Sequence, residues 1–256
     1  DVTYWEQTLI GATTLAPVPR DAVAAADFEG SAELNMAAAS VRRVLPLAAG
    51  HGIAALARRE HTTVFTVVHA ALAALCARWS GSEDIALATA VAGRGRPELE
   101  SMVGMFVNLV VLRSSVSAEH SFAEHLHQVR RTNAESFAHA DVPFESVAAL
   151  LPRPVQIALA VDAFSVDIPS IAGLEIEMAE LGNDVAKSDL FFSVTMRESG
   201  WQLELSYAAA RFTDATATAL LEDLESMLVH VAHSPDTALG QLYSEVAQRK
   251  MPESVL

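Results

Sequence analysis

The sequence predicts an α/β (α+β) fold, one mixed sheet with helices packed on it. Three observations predict it. Strand-length apolar runs stand singly between helical stretches in the first two thirds of the chain, and two more form a hairpin near the end. Apolar residues make up 51% of 256, enough to bury a sizeable core. No fixed-period repeat, low-complexity tract or linker divides the chain, so residues 1–256 read as one lobe.

The elements follow in order. Residues 4–10 read as a short helix, and 11–38, rich in Ala, Thr, Pro and Asp without period, as a surface loop. SVRRVLPL (40–47) alternates weakly and reads as a strand. A helix follows near 48–59. A longer one, near 63–79, is apolar on nearly all sides and therefore buried. GSED (81–84) is a turn, IALATAV (85–91) a strand, and AGRGRPELE (92–100) a loop with a short helical turn. In VGMFVNLVVLR (103–113) the latter half, 106–113, reads as a central strand, because it is apolar on both faces.

Ser121 and Glu124 fit a capping box that opens a helix to Ala138, with Phe122, Leu126, Val129 and Phe137 on one stripe. ADVPFE ends it, and a short helix follows near 144–151. QIALAVDAF (156–164) and LEIEMAEL (174–181) read as strands. LFFSVTM (190–196), a turn at 198–200 and WQLELSY (201–207) make the hairpin, with Trp201, Leu203, Leu205 and Tyr207 facing inward. An amphipathic helix over 214–232 and a weaker one over 238–249 close the chain.

Charge excludes some functions. With 32 acidic and 17 basic residues the net charge is -15, which repels nucleic acid and anionic membranes. The single cysteine, Cys76, lies in an apolar helical pattern and reads as a small core hydrophobe. The start of the chain has no basic-then-apolar leader pattern, and the apolar run TVFTVVHAALAALCARW is too short and too polar for a membrane span. The expected location is cytoplasmic.

Nine histidines are the first candidates for chemistry. His125 and His127, two apart on a helix, diverge, and no His/Cys ligand set or His-Glu-x-x-His pattern occurs. His69 reads as a core histidine and His139 as a helix C-cap. No nucleophile elbow or phosphate loop appears. No catalytic residue and no metal site are assigned. Asn108 poses a question of its own: a side chain with two donors and an acceptor, set in an apolar strand, costs roughly 1–3 kcal/mol if buried without partners.

Two stretches, taken together, are more specific. DIALATAVAGRGRPELESMVGMFVNLVVLR (84–113) carries a Gly-Arg-x-Arg-Pro-Glu loop and a Gly-x-Phe-Val-Asn motif, and HADVPFE (139–145) resembles a His/Asn-Gln-Asp-x-Pro-Phe-Glu motif. With the softer matches YWEQTL (4–9) and AKSDLFFSV to ALLEDL near the end, they resemble the condensation domains of nonribosomal peptide synthetases over nearly the whole chain. Ala140 and Leu109 replace that family's usual glutamine and threonine, its later Arg-Asp-x-Ser-Arg-Asn-Pro-Leu motif is reduced to PRPVQIAL (152–159), and Ser188 replaces an aromatic before Asp189.

The resemblance implies two chloramphenicol-acetyltransferase-like lobes around a tunnel. This chain would be the C-terminal one, because the His-His-x-x-x-Asp-Gly element of the N-terminal lobe is absent and no two histidines are adjacent. It implies amide formation between thioesters tethered to the phosphopantetheine arms of donor and acceptor carrier proteins. No cofactor is bound directly, and the lobe alone is expected to be inactive.

Gly104, Phe106, Asn108, Arg94 and Arg96 would lie at the tunnel or lobe junction. Asn108 would face the tunnel or pair with loop backbone, and the arginines would line the cleft floor or reach Glu98 and Glu100. His139, Asp141, Pro143, Phe144, Glu145 and Asp189 carry the structural motifs. Asp141 would cap the helix from Phe144, and Pro143 would set its first turn. A crossover segment is expected within 164–190, and an exposed apolar patch on the inter-lobe face. The alternatives are a non-catalytic recruitment module and an acyltransferase of the same fold that uses free acyl thioesters.

Overall fold

The structure is a computed structural model that describes residues 2–12, 37–152, 154–162, 185–197 and 200–247. The described elements are α1 (Val2–Leu9), β1 (Ala38–Leu45), α2 (Leu47–Arg59), α3 (Val64–Ser80), β2 (Asp84–Val91), α4 (Pro97–Glu100), β3 (Asn108–Ser115), α5 (Phe122–Ala138), α6 (Phe144–Ala148), β4 (Ile157–Asp162), β5 (Leu190–Arg197), β6 (Gly200–Ala208), α7 (Asp214–His233) and α8 (Leu239–Ala247). The strands form one six-stranded sheet in the order β1-β6-β5-β4-β2-β3. β4 runs parallel to β2 and β5, and the other pairs are antiparallel, so the sheet is mixed as the sequence predicts.

α3 is the central helix. Thr63 caps its first turn by accepting from the Thr66 amide, and Gly81, with φ 69°, ends it in a left-handed residue that costs glycine nothing. Every residue from Thr66 to Cys76 is buried. Around it Leu45, Ile53, Phe192, Val194, Leu203, Leu205, Leu221 and Leu224 form the main core. Each fully buried side chain of this size contributes roughly 1.5–3 kcal/mol. Cys76 lies in this core, and burial pushes its thiol well above the usual thiol range, so it is no nucleophile. At the helix end Asp223 of α7 accepts from Arg78 and Trp79, both at 2.9 Å.

The seam between α3 and α5 is polar at two points. His69 and His125 are completely buried, and His69 Nδ1 sits 3.0 Å from Asn133 Oδ1 while His125 Nε2 sits 3.2 Å from the Ala70 carbonyl. Burial lowers the two imidazoles to about 3 and about 4, so both are neutral near pH 7. His127, on the outer face, pairs instead with Glu60 at 2.8 Å; the two neighbours diverge as helix geometry requires.

Four expectations need correction. Among the described residues the strand in 103–113 is an edge strand and not a central one: β3 pairs there with β2 alone and runs 108–115. It reads as central because α1 and α6 add a second small core to it, with Trp5, Leu9, Val142 and Val147 against Val110, Val111 and Leu112. Phe137 is 38% exposed and stands off the buried stripe of α5. Pro143 is the N-cap of α6 and not its first helical residue, and Asp141 is exposed and makes no cap. Residues 13–36 of the expected loop, the strand 174–181 and residues 164–184 of the expected crossover lie outside the described residues.

Among the described residues no single helix is long and apolar enough to cross a membrane. α2 and α3 pass on length and composition only as a pair bent by 105°, and α3 is core.

Candidate functional site

Three stretches distant in sequence meet at one corner of the sheet: α1, the start of β3 and the turn after α5. Asn108 ties two of them. Its Nδ2 donates to the carbonyls of Ala140 and Val142, both at 2.8 Å, and its Oδ1 accepts from the Phe144 amide at 3.0 Å. The amide thus uses both donors and its acceptor on backbone. It also satisfies the first free N–H of α6, the role the sequence assigns to Asp141. Of its two readings, loop pairing is the one the geometry shows.

α1 supplies the third side. Trp5 Nε1 donates to the His139 carbonyl at 3.1 Å, the Tyr4 hydroxyl lies 3.2 Å from Ser136 Oγ, and the Tyr4 ring stacks on the His139 ring at 4.1 Å. Arg113 of β3 closes the end of α1. It donates to the carbonyls of Thr8 at 2.7 Å, Ile10 at 3.1 Å and Gly11 at 3.4 Å, and pairs with both oxygens of Asp84 at 2.7 and 2.8 Å. Sequence reasoning passes over Arg113. Its signal is a lone cation at the end of an apolar strand, where a planar fork has many carbonyls within reach.

The loop between β2 and β3 is built from inside. Gly93 has φ +64°, and a Cβ there would sit 1.8 Å from the Phe106 carbonyl oxygen. The next residue, Arg94, turns into the loop: its guanidinium lies 4.4 Å from the Phe106 ring centroid and donates to the carbonyls of Leu99, Met102 (2.9 Å) and Gly104 (3.2 Å). It does not reach Glu98 or Glu100 by any hydrogen bond. A Cβ at Gly104 would lie 3.2 Å from the same ring, so this glycine serves close approach. Arg96 and Glu145 are exposed.

With Phe106 turned in, the other side chains turn out. Met102 is 49% exposed, Val103 fully, Met105 90%, Val107 53% and Leu109 37%. Four of these, at 103, 105, 107 and 109, fall at every second position, with a bend at Gly104 between the first two. The corner is therefore two-sided: a polar inner side consumed by structural hydrogen bonds, and an apolar outer side. Asp189 lies elsewhere, at the head of β5, where its carboxylate pairs with Arg211 and its carbonyl accepts from Ala208 at 3.0 Å. No three His, Cys, Asp or Glu side chains gather into a metal site among the described residues.

Comparison with known proteins agrees with the corner's motifs. The condensation-domain family matches residues 1–251, and the chain belongs to that family. It is similar to tyrocidine synthase 2 of Brevibacillus parabrevis, 30% identical over 257 residues that cover 96% of this chain and 7% of that protein. It is 35% identical over 193 residues, 72% of this chain and 2% of the relative, to the probable non-canonical nonribosomal peptide synthetase CymA of Salinispora arenicola. Among solved structures, the complex of the X-domain and OxyB from teicoplanin biosynthesis matches with TM-score 0.79 and 27% identity over 94% of this chain and 54% of that one. The chain thus spans about half of a solved relative and a small fraction of the curated ones.

Proposed function

We propose that this chain is the C-terminal lobe of a condensation domain whose complete form makes amide bonds. The substrates would be two acyl groups, each held as a thioester on the phosphopantetheine arm of a carrier protein. The acceptor amine attacks the donor thioester carbonyl; a C–N bond forms, the C–S bond breaks, and the arm leaves as its thiol while the amine loses a proton. A base positioned at the amine raises the rate of such a step. The sequence has no His-His-x-x-x-Asp-Gly element, so in this reading the base comes from the other lobe.

One observation carries the reading: the outward row Met102, Val103, Met105, Val107 and Leu109. Contiguous apolar side chains this exposed mark a contact surface. The row grows from the motif loop of a chain that spans 54% of a related structure. A second lobe packed on that row would place Gly104, Phe106, Asn108, Arg94 and Arg96 at the junction. Asn108 and Arg94 would act there by shaping the loop. The crossover within 164–190 completes the reading.

The test is a peptide-forming assay with both carriers loaded. The 256-residue chain should give no product above background, and a polypeptide that also carries the other lobe should turn over. Product from the chain alone would refute the reading.

A second reading has an observation of its own. A solved relative at 27% identity is an X-domain in complex with a second protein, OxyB. A complete domain that gives no amide yet binds a second enzyme of its biosynthetic pathway would favour recruitment. Free acyl thioesters as substrates, the third possibility, predict coenzyme A binding by calorimetry.

A further inference from the structure

We infer that Arg94 is a positioning residue: it locks the loop over residues 92–107 into a preformed plug whose apolar face docks on the domain's other lobe. The inference rests on the lobe reading above and goes beyond it by naming what sets the shape of the contact.

The loop has almost no structure of its own to hold it. α4 is a single turn of four residues, and among the described residues the segment 103–107 makes no backbone hydrogen bond through its amides. Left alone, such a segment samples many conformations, and fixing each residue costs about 1–2 kcal/mol. Arg94 replaces the missing ladder. One guanidinium ties three carbonyls spread over six residues, Leu99, Met102 and Gly104, and lies over the Phe106 ring. Charge-assisted bonds of this kind are about twice as strong as neutral ones. With Phe106 held inward, its neighbours Met105 and Val107, and Val103 beyond the bend at Gly104, face outward. Gly93 permits the arrangement, because a Cβ at that position would strike the Phe106 carbonyl.

The consequence concerns binding. A contact loop that is ordered beforehand does not lose its conformational freedom on docking, so affinity rises without any new contact. Lysine cannot substitute, since a point charge has no planar fork to span three carbonyls. Arg96, two residues away and exposed, provides the control: same charge, same loop, no bonds inward.

The experiment uses the 256-residue chain as wild type, Arg94→Ala, Arg94→Lys and Arg96→Ala, and a polypeptide with both lobes as wild type and the two Arg94 variants. Thermolysin cleavage within residues 97–107 is measured in the chain, and peroxide oxidation of Met105 in the two-lobe protein. In the chain, Arg94→Ala and Arg94→Lys should speed cleavage roughly tenfold, and Arg96→Ala should leave it unchanged. In the two-lobe protein, wild type should protect Met105, and both Arg94 variants should lose that protection by roughly tenfold with an unchanged far-ultraviolet spectrum. Equal cleavage of all four chains with equal protection of the three two-lobe proteins would overturn the role of Arg94. Fast oxidation of Met105 in the wild-type two-lobe protein would instead overturn the lobe reading, and the cleavage data would still decide whether Arg94 holds the loop.

Discussion

Neighbouring residues of one motif behave in two opposite ways. Asn108 and Phe106 face inward, where Asn108 spends all its polar atoms on the backbone of 140–144 and Phe106 lies under Arg94. Val103, Met105 and Val107 face outward with nothing described over them. The two regions differ by one position in an alternating chain, yet the first is saturated with hydrogen bonds and the second offers only apolar surface. The difference teaches that the motif's polar residues hold the loop and leave its apolar residues facing outward. A family motif read only as a set of candidate site residues would invert these roles.

The largest expected effect comes from breaking the inner side. Asn108→Ala leaves two carbonyls and one helix N-terminal amide without their partner, and should lower stability by about 3 kcal/mol in urea unfolding. Asn108→Asp should be no better, because a carboxylate cannot donate to Ala140 and Val142. A loss under about 1 kcal/mol for both variants would show that water replaces the side chain and that the corner is not the tie it is taken for.

The second effect separates the corner from the helix seam behind it. His69 and His125 are neutral when folded, with values lowered to about 3 and about 4, and return to about 6.5 when unfolded. The unfolded chain therefore binds more protons, and stability is complete above about pH 6.5 and falls as pH drops from there toward 3. At pH 5 each histidine should cost roughly 2 kcal/mol relative to pH 7. His69→Leu should flatten the pH dependence of the melting temperature by one proton, and should not change the exchange of amides 102–106. A wild-type slope equal to that of the variant would contradict the buried, neutral assignment.

The smallest effect belongs to the outer side. Val103→Ser and Met105→Ser should change the stability of this chain by no more than about 0.5 kcal/mol, because neither side chain is packed. The same substitutions should weaken association with the other lobe. A stability loss of about 2 kcal/mol would mean that these side chains are covered by the chain itself.

Much of the fold was legible because period and capping agreed. The box at Ser121 and Glu124 is present, with the Glu124 side chain accepting from the Ser121 amide at 2.8 Å. Trp201, Leu203, Leu205 and Tyr207 all face the core. The misplacement of β3 has a physical origin: an apolar run records that both faces are covered, and not whether a strand or a pair of helices lies beyond the edge. The site was legible as residues and not as contacts. Asn108 was suspect because its chemistry conflicts with its neighbours, but its partners lie 32 to 36 residues away and carry no side-chain signal, since all three bonds go to backbone. Arg94 was harder still, because a guanidinium that binds only carbonyls leaves no complementary acid in the sequence; Arg113 does pair with Asp84, but its bonds to the carbonyls of Thr8, Ile10 and Gly11 leave no such mark.

The most direct measurement is amide hydrogen exchange over residues 103–107, made on this chain and on a polypeptide that carries both lobes. Docking of the apolar row predicts slow exchange in the larger protein, by at least roughly tenfold over the chain alone. Exchange that is equally fast in both would contradict the central claim that this face is where the second half of the domain binds.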